Sequence, residues 1–522
     1  MPSIRSISGL QPLTGRDGIW LVFIVSIASA VRLYNLAESS LWLDEAFTAN
    51  LAQLPLSTLW ITPYDPSPPL YYTLVRVVML VWGDSEFLLR LPSAVFGILT
   101  IPIIYLVTRR LADTTAAVVA SFVLAISFYN IGYSQEARAY ALVNFSIAFS
   151  FLGLMKLWAT WNPRSSGLLE FMGSGGASFS VGLIAALYSH NTSVFYWLAV
   201  QFFFVHWWFS GGKSFVHLRY WFVVNVTILA LWLPWAMASL AYLQKEVFRV
   251  MPYPAELAFL SFRWVHGVSI AFKGSLAADV GPSLLVLAGL FGLWRRQSLL
   301  LLFVSLILCS SLLIWLTGFA LTPIFMPRTI LWGSIFSAIL MGMGASFLPK
   351  PVGYGLAIAT ILAGILNALH YFKEDIMRNE DWRSVVQTFS RMQEPGDILL
   401  FRSNYVSIPF VYYLGHDSPD WEYIGWDCQA EKRMTGVMRG RGSRRHIKWD
   451  EYINDPVGPI PTRPTTHLWV VESHCASGNW DLADSLMLPA WELDQMFRHE
   501  GVNLYRWKPV LLPPVSRTNP FE

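Results

Sequence analysis

The chain has 522 residues, of which 54% are hydrophobic and only 14% charged, and its mean hydropathy is +0.45. Soluble globular proteins carry about 25% charged residues, so this composition excludes that class and describes a chain crossing a bilayer many times. The formal net charge of +3 is too small to suggest a nucleic-acid partner, and none is expected.

A span needs about 20 mostly apolar residues. Eleven stretches qualify, at about 18–36, 91–108, 115–133, 140–159, 174–190, 193–209, 220–240, 279–294, 298–318, 328–347 and 352–371. Arg5 and Arg16 precede the first and Arg109 and Arg110 follow the second. Arg164, Lys213, Arg219, Arg295, Arg296 and Lys350 occupy the alternate loops after them. Cytoplasmic loops collect Lys and Arg, so the N-terminus is expected in the cytoplasm, and an odd number of spans places the C-terminal region outside. The opposite loops hold Asp44, Glu45, Asp65, Asp84, Glu86 and Glu136. No cleavable signal is expected, because the first apolar run is long enough to stay as a span.

The first outer loop, residues 37–90, is the largest. Leu43, Phe47, Leu51 and Leu54 recur at helical spacing, which predicts a short helix with one lipid-facing stripe, ended by Pro55. Asp65-Pro66-Ser67-Pro68-Pro69 reads as a stiff extended turn. Leu70 to Trp82, with Arg76 in its middle, is too short to span and suits an interfacial helix. Beyond residue 372 charges and prolines return. A small outer α/β domain over 372–522 is expected, with a helix carrying Val385, Val386, Phe389 and Met392. Asp397–Phe401 and His467–Val471 read as short buried strands, and 508–522 as a loosely ordered tail. Cys309 reads as a small core residue, while Cys428 and Cys475 can pair only in an oxidising compartment. The expected fold is a polytopic α-helical membrane protein of about eleven spans, with a C-terminal extracytoplasmic α/β domain.

Chemistry-bearing residues collect in the outer loops. Asp44 and Glu45 are adjacent, so on a helix they point about 100° apart and cannot share one task symmetrically. A carboxylate in low-dielectric surroundings makes a better general base near neutral pH; acids favoured by the helix dipole are the plainer reading. Tyr133-Ser134-Gln135-Glu136-Ala137-Arg138-Ala139-Tyr140 puts a carboxylate, a guanidinium and two phenols in one outer turn. Its plainer reading is interface anchoring. Arg328 opens the tenth expected span on the same side. Guanidinium suits phosphate at a membrane surface. His190 ends the fifth span and reads as a satisfied polar residue rather than a ligand, with His266 weaker still. The spans carry few charges at their midpoints, where a transporter would need them.

Four motifs make the chain resemble the GT-C superfamily of membrane glycosyltransferases, family 39 type. That group includes protein O-mannosyltransferases and the transferase that adds aminoarabinose to lipid A. The motifs are Leu43-Asp44-Glu45-Ala46, Pro68-Pro69-Leu70-Tyr71-Tyr72, Arg90-Leu91-Pro92-Ser93-Ala94 and Gln135-Glu136-Ala137-Arg138-Ala139-Tyr140. Pro327-Arg328-Thr329-Ile330-Leu331 is similar to a late Pro-Arg-Tyr-Leu segment, with Thr329 where Tyr is commoner. Ser67 stands before the paired prolines where many relatives have His.

The resemblance implies a sugar donor on polyprenyl phosphate and an acceptor hydroxyl on a lipid, glycan or protein. It implies Asp44 as the catalytic base with Glu45 beside it. Arg138 and Arg328 become candidates for the donor phosphate, with Arg76 a further one. Glu136, Tyr140, Tyr71 and His190 are the other site candidates. The implied reaction is an inverting single displacement at the outer face of the bacterial inner membrane. No cofactor is required by the sequence, and a divalent cation stays an open alternative. The competing readings are a polyprenyl-linked glycan transporter or flippase, and a non-catalytic membrane scaffold.

Overall fold

The computed structural model describes residues 13–61, 67–160, 167–210, 215–245, 254–266, 276–320, 324–374, 380–402, 406–414, 421–426, 437–442, 448–453, 466–473 and 491–509. Arg5, Asp65, Pro66, Arg164, Lys213, Cys428, Cys475 and the tail beyond Pro509 lie outside the described residues. The chain divides into two compact units, residues 1–36 with 54–377 and residues 37–53 with 378–522. The first eight helices are α1 Gly15–Leu33, α2 Leu43–Ala52, α3 Leu56–Ile61, α4 Leu70–Trp82, α5 Glu86–Leu111, α6 Thr114–Ile126, α7 Phe128–Ser134 and α8 Tyr140–Thr160. Of these, α2 belongs to the second unit.

The first unit is a helical bundle, and the expected spans fall on helices, with 115–133 divided between α6 and α7. Among the described residues, six helices are long and apolar enough to cross a membrane: α5, α8, Leu168–Leu187, Leu218–Leu240, Gln297–Phe319 and Lys350–Lys373. Helices α6 and α7 qualify together but are bent by 57° at their junction. Ser193–Phe209, Asp279–Gly292 and Gly333–Phe347 are apolar and shorter. The chain is a multi-pass membrane protein. Its spans are amphipathic in reverse. On Lys350–Lys373, Ile358, Leu362, Leu366 and Leu369 form an exposed stripe, while Ala357, Thr360, Asn367 and Ala368 are buried. In lipid the apolar stripe meets acyl chains, and small residues let helices approach. A Cβ at Gly342 would collide with the carbonyl oxygen of Ala116, which ties Gly333–Phe347 tightly to α6.

Two sequence expectations are corrected here. The tenth span does not begin at Arg328. Pro327–Thr329 is a 3-10 turn, and the helix starts at Gly333. The Thr329 hydroxyl accepts from the Met326 amide (3.0 Å) and donates to the Ile324 carbonyl (2.7 Å), so this residue closes the turn. Cys309 is exposed on its span rather than packed in the core.

One end of the bundle is anchored by an acid that sequence reading passed over. Asp17 is buried at the start of α1 and accepts from Tyr105 Oη (2.8 Å), Thr114 Oγ1 (3.0 Å) and Arg109 Nε (3.2 Å). Arg296 donates to the Leu111 carbonyl nearby (3.2 Å). Arg109 and Arg296, from two of the alternate loops, therefore lie at the same end of the bundle.

The second unit is an α/β domain. Its seven-stranded sheet runs β4-β3-β2-β1-β5-β7-β6. The strands are β1 Ile398–Arg402, β2 Trp421–Trp426, β3 Val437–Gly442, β4 Lys448–Ile453, β5 Leu468–Glu472, β6 Trp491–His499 and β7 Val502–Pro509. The central strand β1 pairs parallel with β2 and with β5, and the outer pairings are antiparallel. Strands buried on both faces read as continuous apolar runs, which is why β1 and β5 were legible. Helix Trp382–Met392 lays Trp382, Val385, Val386 and Phe389 on this sheet. The Phe389 ring lies 5.3 Å from Phe410 and 5.3 Å from Trp469. Each such buried ring contributes about 1.5–3 kcal/mol.

Candidate active site

The break between α6 and α7 sets up the charged turn. The carbonyls ending α6 have no helical partner, and the buried Arg32 guanidinium donates to those of Ala125 (2.8 Å) and Leu124 (3.3 Å). Helix α7 then runs in its new direction to Ser134. There Gln135, buried, donates through Nε2 to the carbonyls of Val31 (3.2 Å), Arg32 (3.3 Å) and Tyr34 (2.8 Å). Tyr371 Oη donates to its Oε1 (3.0 Å). Gln135 thus ties the end of α1 and the late helix Lys350–Glu374 to the turn. The Arg138 amide donates to the Glu136 carbonyl (2.8 Å), which keeps the turn tight before α8 begins at Tyr140.

Around this turn the structure gathers most of the candidates in the first unit. Ser93 Oγ donates to the Arg138 carbonyl (2.9 Å) and lies 2.7 Å from Tyr71 Oη. Tyr71 and Glu136 are 1% and 3% exposed, so both are internal rather than solvated. The Tyr140 ring packs 5.1 Å from Tyr133 and 5.8 Å from His190. Both Glu136 and Arg328 reach Tyr133 electrostatically. His190 Nδ1 accepts from the Thr192 amide (3.2 Å) and lies 2.8 Å from Thr192 Oγ1. Thr192 Oγ1 in turn donates to the carbonyl of Thr329, the residue after Arg328 (3.1 Å). Burial, followed by the charges of Arg138 and Arg328, pushes the His190 imidazole down to about 4. It is neutral at physiological pH. A neutral imidazole carries one N–H to donate. Arg76 lies further along α4 and is partly buried.

Two guanidiniums, a neutral imidazole and buried phenols thus lie around one turn. Ser93, Gln135 and Thr192 were not singled out from the sequence. Ser93 and Gln135 sit inside the quoted motifs, which was the available signal, and Thr192 carried none. His266 lies apart from this group, packed on Phe262 at 4.3 Å with Nδ1 2.6 Å from Ser337 Oγ. Among the described residues no three His, Cys, Asp or Glu side chains gather as a metal site would need.

Asp44 and Glu45 lie in the second unit, in the first turn of α2. Asp44 is partly buried and Glu45 is 1% exposed. Glu45 Oε2 accepts from the Trp42 amide (3.4 Å), a long bond that closes the helix start. Helix α2 buries Glu45, Ala46, Thr48, Ala49, Leu51 and Ala52; of the apolar stripe expected to face lipid, Leu43, Phe47 and Leu54 are partly buried and Leu51 is buried. Small residues permit close packing that apolar spacing does not report.

No family model matches the chain. Undecaprenyl phosphate-alpha-4-amino-4-deoxy-L-arabinose arabinosyl transferase 2 of Pseudomonas fluorescens is 30% identical over 174 residues, 30% of this chain and 29% of that protein. An uncharacterized protein of Aquifex aeolicus is 28% identical over 157 residues, 28% of this chain and 31% of that protein. The chain thus spans under a third of the length of the curated relatives it matches. In three dimensions the likeness is much longer. The structure of ArnT from Cupriavidus metallidurans bound to undecaprenyl phosphate superposes with a TM-score of 0.59 at 14% identity, covering 94% of this chain and 98% of that one. The apo oligosaccharyltransferase of Archaeoglobus fulgidus gives 0.53 at 13%, covering 76% of this chain and 63% of that one. The match runs from end to end of the ArnT structure, so this chain shares its fold.

Proposed function

We propose that this protein is a membrane glycosyltransferase that moves a sugar from a polyprenyl-phosphate carrier to an acceptor hydroxyl. The observation that carries the reading is the gathering of Arg138, Arg328, His190 and Tyr140 around one turn of an ArnT-like fold. The ArnT structure holds undecaprenyl phosphate, and the same class of lipid phosphate suits two guanidiniums and a neutral imidazole.

The reaction is a single displacement. The acceptor oxygen attacks the anomeric carbon while Asp44 takes the hydroxyl proton, with Glu45 holding the start of its helix. The bond from the anomeric carbon to phosphate oxygen breaks, and polyprenyl phosphate leaves as an anion. Preorganised donors at that oxygen stabilise the charge as it develops. Arg138 and Arg328 fill this role, with Arg76 a further phosphate contact, while Tyr71 and Glu136 line the turn. The transferred group is a hexose or pentose, and the anomeric centre inverts. The work takes place on the outer face of a bacterial inner membrane, with the N-terminus cytoplasmic and the C-terminal domain extracytoplasmic.

Mass spectrometry of surface glycans with and without the gene reads sugar and acceptor together. Loss of one glycosyl increment is the expected result. Unchanged glycans, together with no release of polyprenyl phosphate by the purified protein in vesicles, would contradict the reading.

A further inference from the structure

We infer that Glu380, at the head of the C-terminal α/β domain, is a positioning residue for Asp44. The inference rests on the role proposed for Asp44 above. The segment leading into α2 is held along its backbone by one short stretch of the domain and one tyrosine. Arg383 donates to the carbonyls of Glu38 (3.3 Å) and Ala37 (3.4 Å). Ser40 Oγ donates to the Glu380 carbonyl (2.5 Å) and accepts from the Trp382 amide (3.1 Å). The Leu41 amide donates to Tyr413 Oη (2.6 Å). The Leu43 amide donates to Glu380 Oε2 (3.3 Å), which also accepts from Trp382 Nε1 (2.5 Å).

Glu380 is the centre of this clamp, touching the segment through both its backbone and its carboxylate. It is 8% exposed, Ser40 is 6% exposed and Trp382 is fully buried. The N-cap residue Trp42 has no side-chain oxygen with which to cap the first turn. A carboxylate supplied from 337 residues away takes that place. Asp44 follows Leu43 directly, so the clamp fixes the turn from which its carboxylate projects. Such fixing matters because a misplacement of about 1 Å can cost about a hundredfold in rate.

The test uses the full-length protein in membranes, with rates expressed per folded molecule. Glu380→Ala is expected to lower kcat about a hundredfold while donor KM stays within about twofold. Glu380→Gln keeps an acceptor oxygen for Leu43 and Trp382 and is expected to restore most of that rate. Tyr413→Phe, which removes one hydrogen bond and little volume, is expected to cost about tenfold in kcat. It decides the matter if Glu380→Ala fails to fold. Wild-type kcat in both Glu380→Ala and Tyr413→Phe would overturn the inference, as would a Glu380→Gln variant no better than Ala. Asp44→Asn measured alongside separates the two proposals. If it is inactive while Glu380→Ala and Tyr413→Phe are both normal, only the positioning role fails. If it is fully active, the assignment of the base fails first.

Discussion

In the membrane unit the charged turn is held by Gln135 and Ser93 of the recognisable motifs and by Thr192 outside them. Gln135 bonds to the end of α1, Ser93 bonds to the Arg138 carbonyl, and Thr192 bonds to the Thr329 carbonyl. In the second unit the helix bearing Asp44 is held by Glu380 and Tyr413, 337 and 372 residues further along the chain. The difference teaches where each half of the proposed chemistry is vulnerable. The phosphate-binding half depends mostly on residues within the motifs. The acid half depends on a folded domain that no local pattern connects to it.

The largest effect expected from breaking the first half is at the two arginines. Hydrogen bonds to charged groups are worth about 1.5–3 kcal/mol each. Arg138→Ala with Arg328→Ala should therefore lower kcat/KM for the donor by about two to four orders of magnitude. A double variant within tenfold of the parent would remove the phosphate role from this turn. Gln135→Ala should act next, by stability. It leaves three backbone carbonyls short of a buried donor, an expected loss of about 1–3 kcal/mol. The midpoint of thermal unfolding in detergent should fall, and an unchanged midpoint would show that the turn does not need this tie.

The smallest effect concerns His190, whose imidazole is held below its ordinary 6.5, at about 4. Between those values the unfolded chain binds a proton that the folded chain does not. Its contribution to stability is therefore complete above 6.5 and is lost as pH falls toward 4. His190→Asn should flatten that part of the stability profile. An identical profile in the variant would place the titration elsewhere.

Much of the membrane unit was legible, because hydropathy reports spans directly and the reversed amphipathicity of helices such as Lys350–Lys373 does not blur it. The turn from Gln135 to Tyr140 stood out because a carboxylate and a guanidinium are expensive beside a bilayer. The 3-10 turn at Arg328 did not, since Thr329 closes it through a hydroxyl bond that spacing cannot show. Around Asp44 the apolar repeat marked one face of α2, but the opposite, alanine-rich face is buried as well, and small side chains give no apolar signal of that. Strands β1 and β5 announced themselves as apolar runs. The sequences of β3 and β4, Val437–Gly442 and Lys448–Ile453, carry charges and glycines without clean alternation, so nothing in them announces a sheet. Glu380 and Tyr413 gave no signal, because their role exists only once the domain has folded.

The most direct measurement is on Asp44→Asn, reconstituted in vesicles with the polyprenyl-phosphate sugar identified from the surface glycans. Donor binding and sugar transfer are read in the same preparation. A general base contributes about 10²- to 10⁴-fold, so transfer should fall by that factor while donor affinity stays unchanged. Full transfer by the variant would contradict Asp44 as the base.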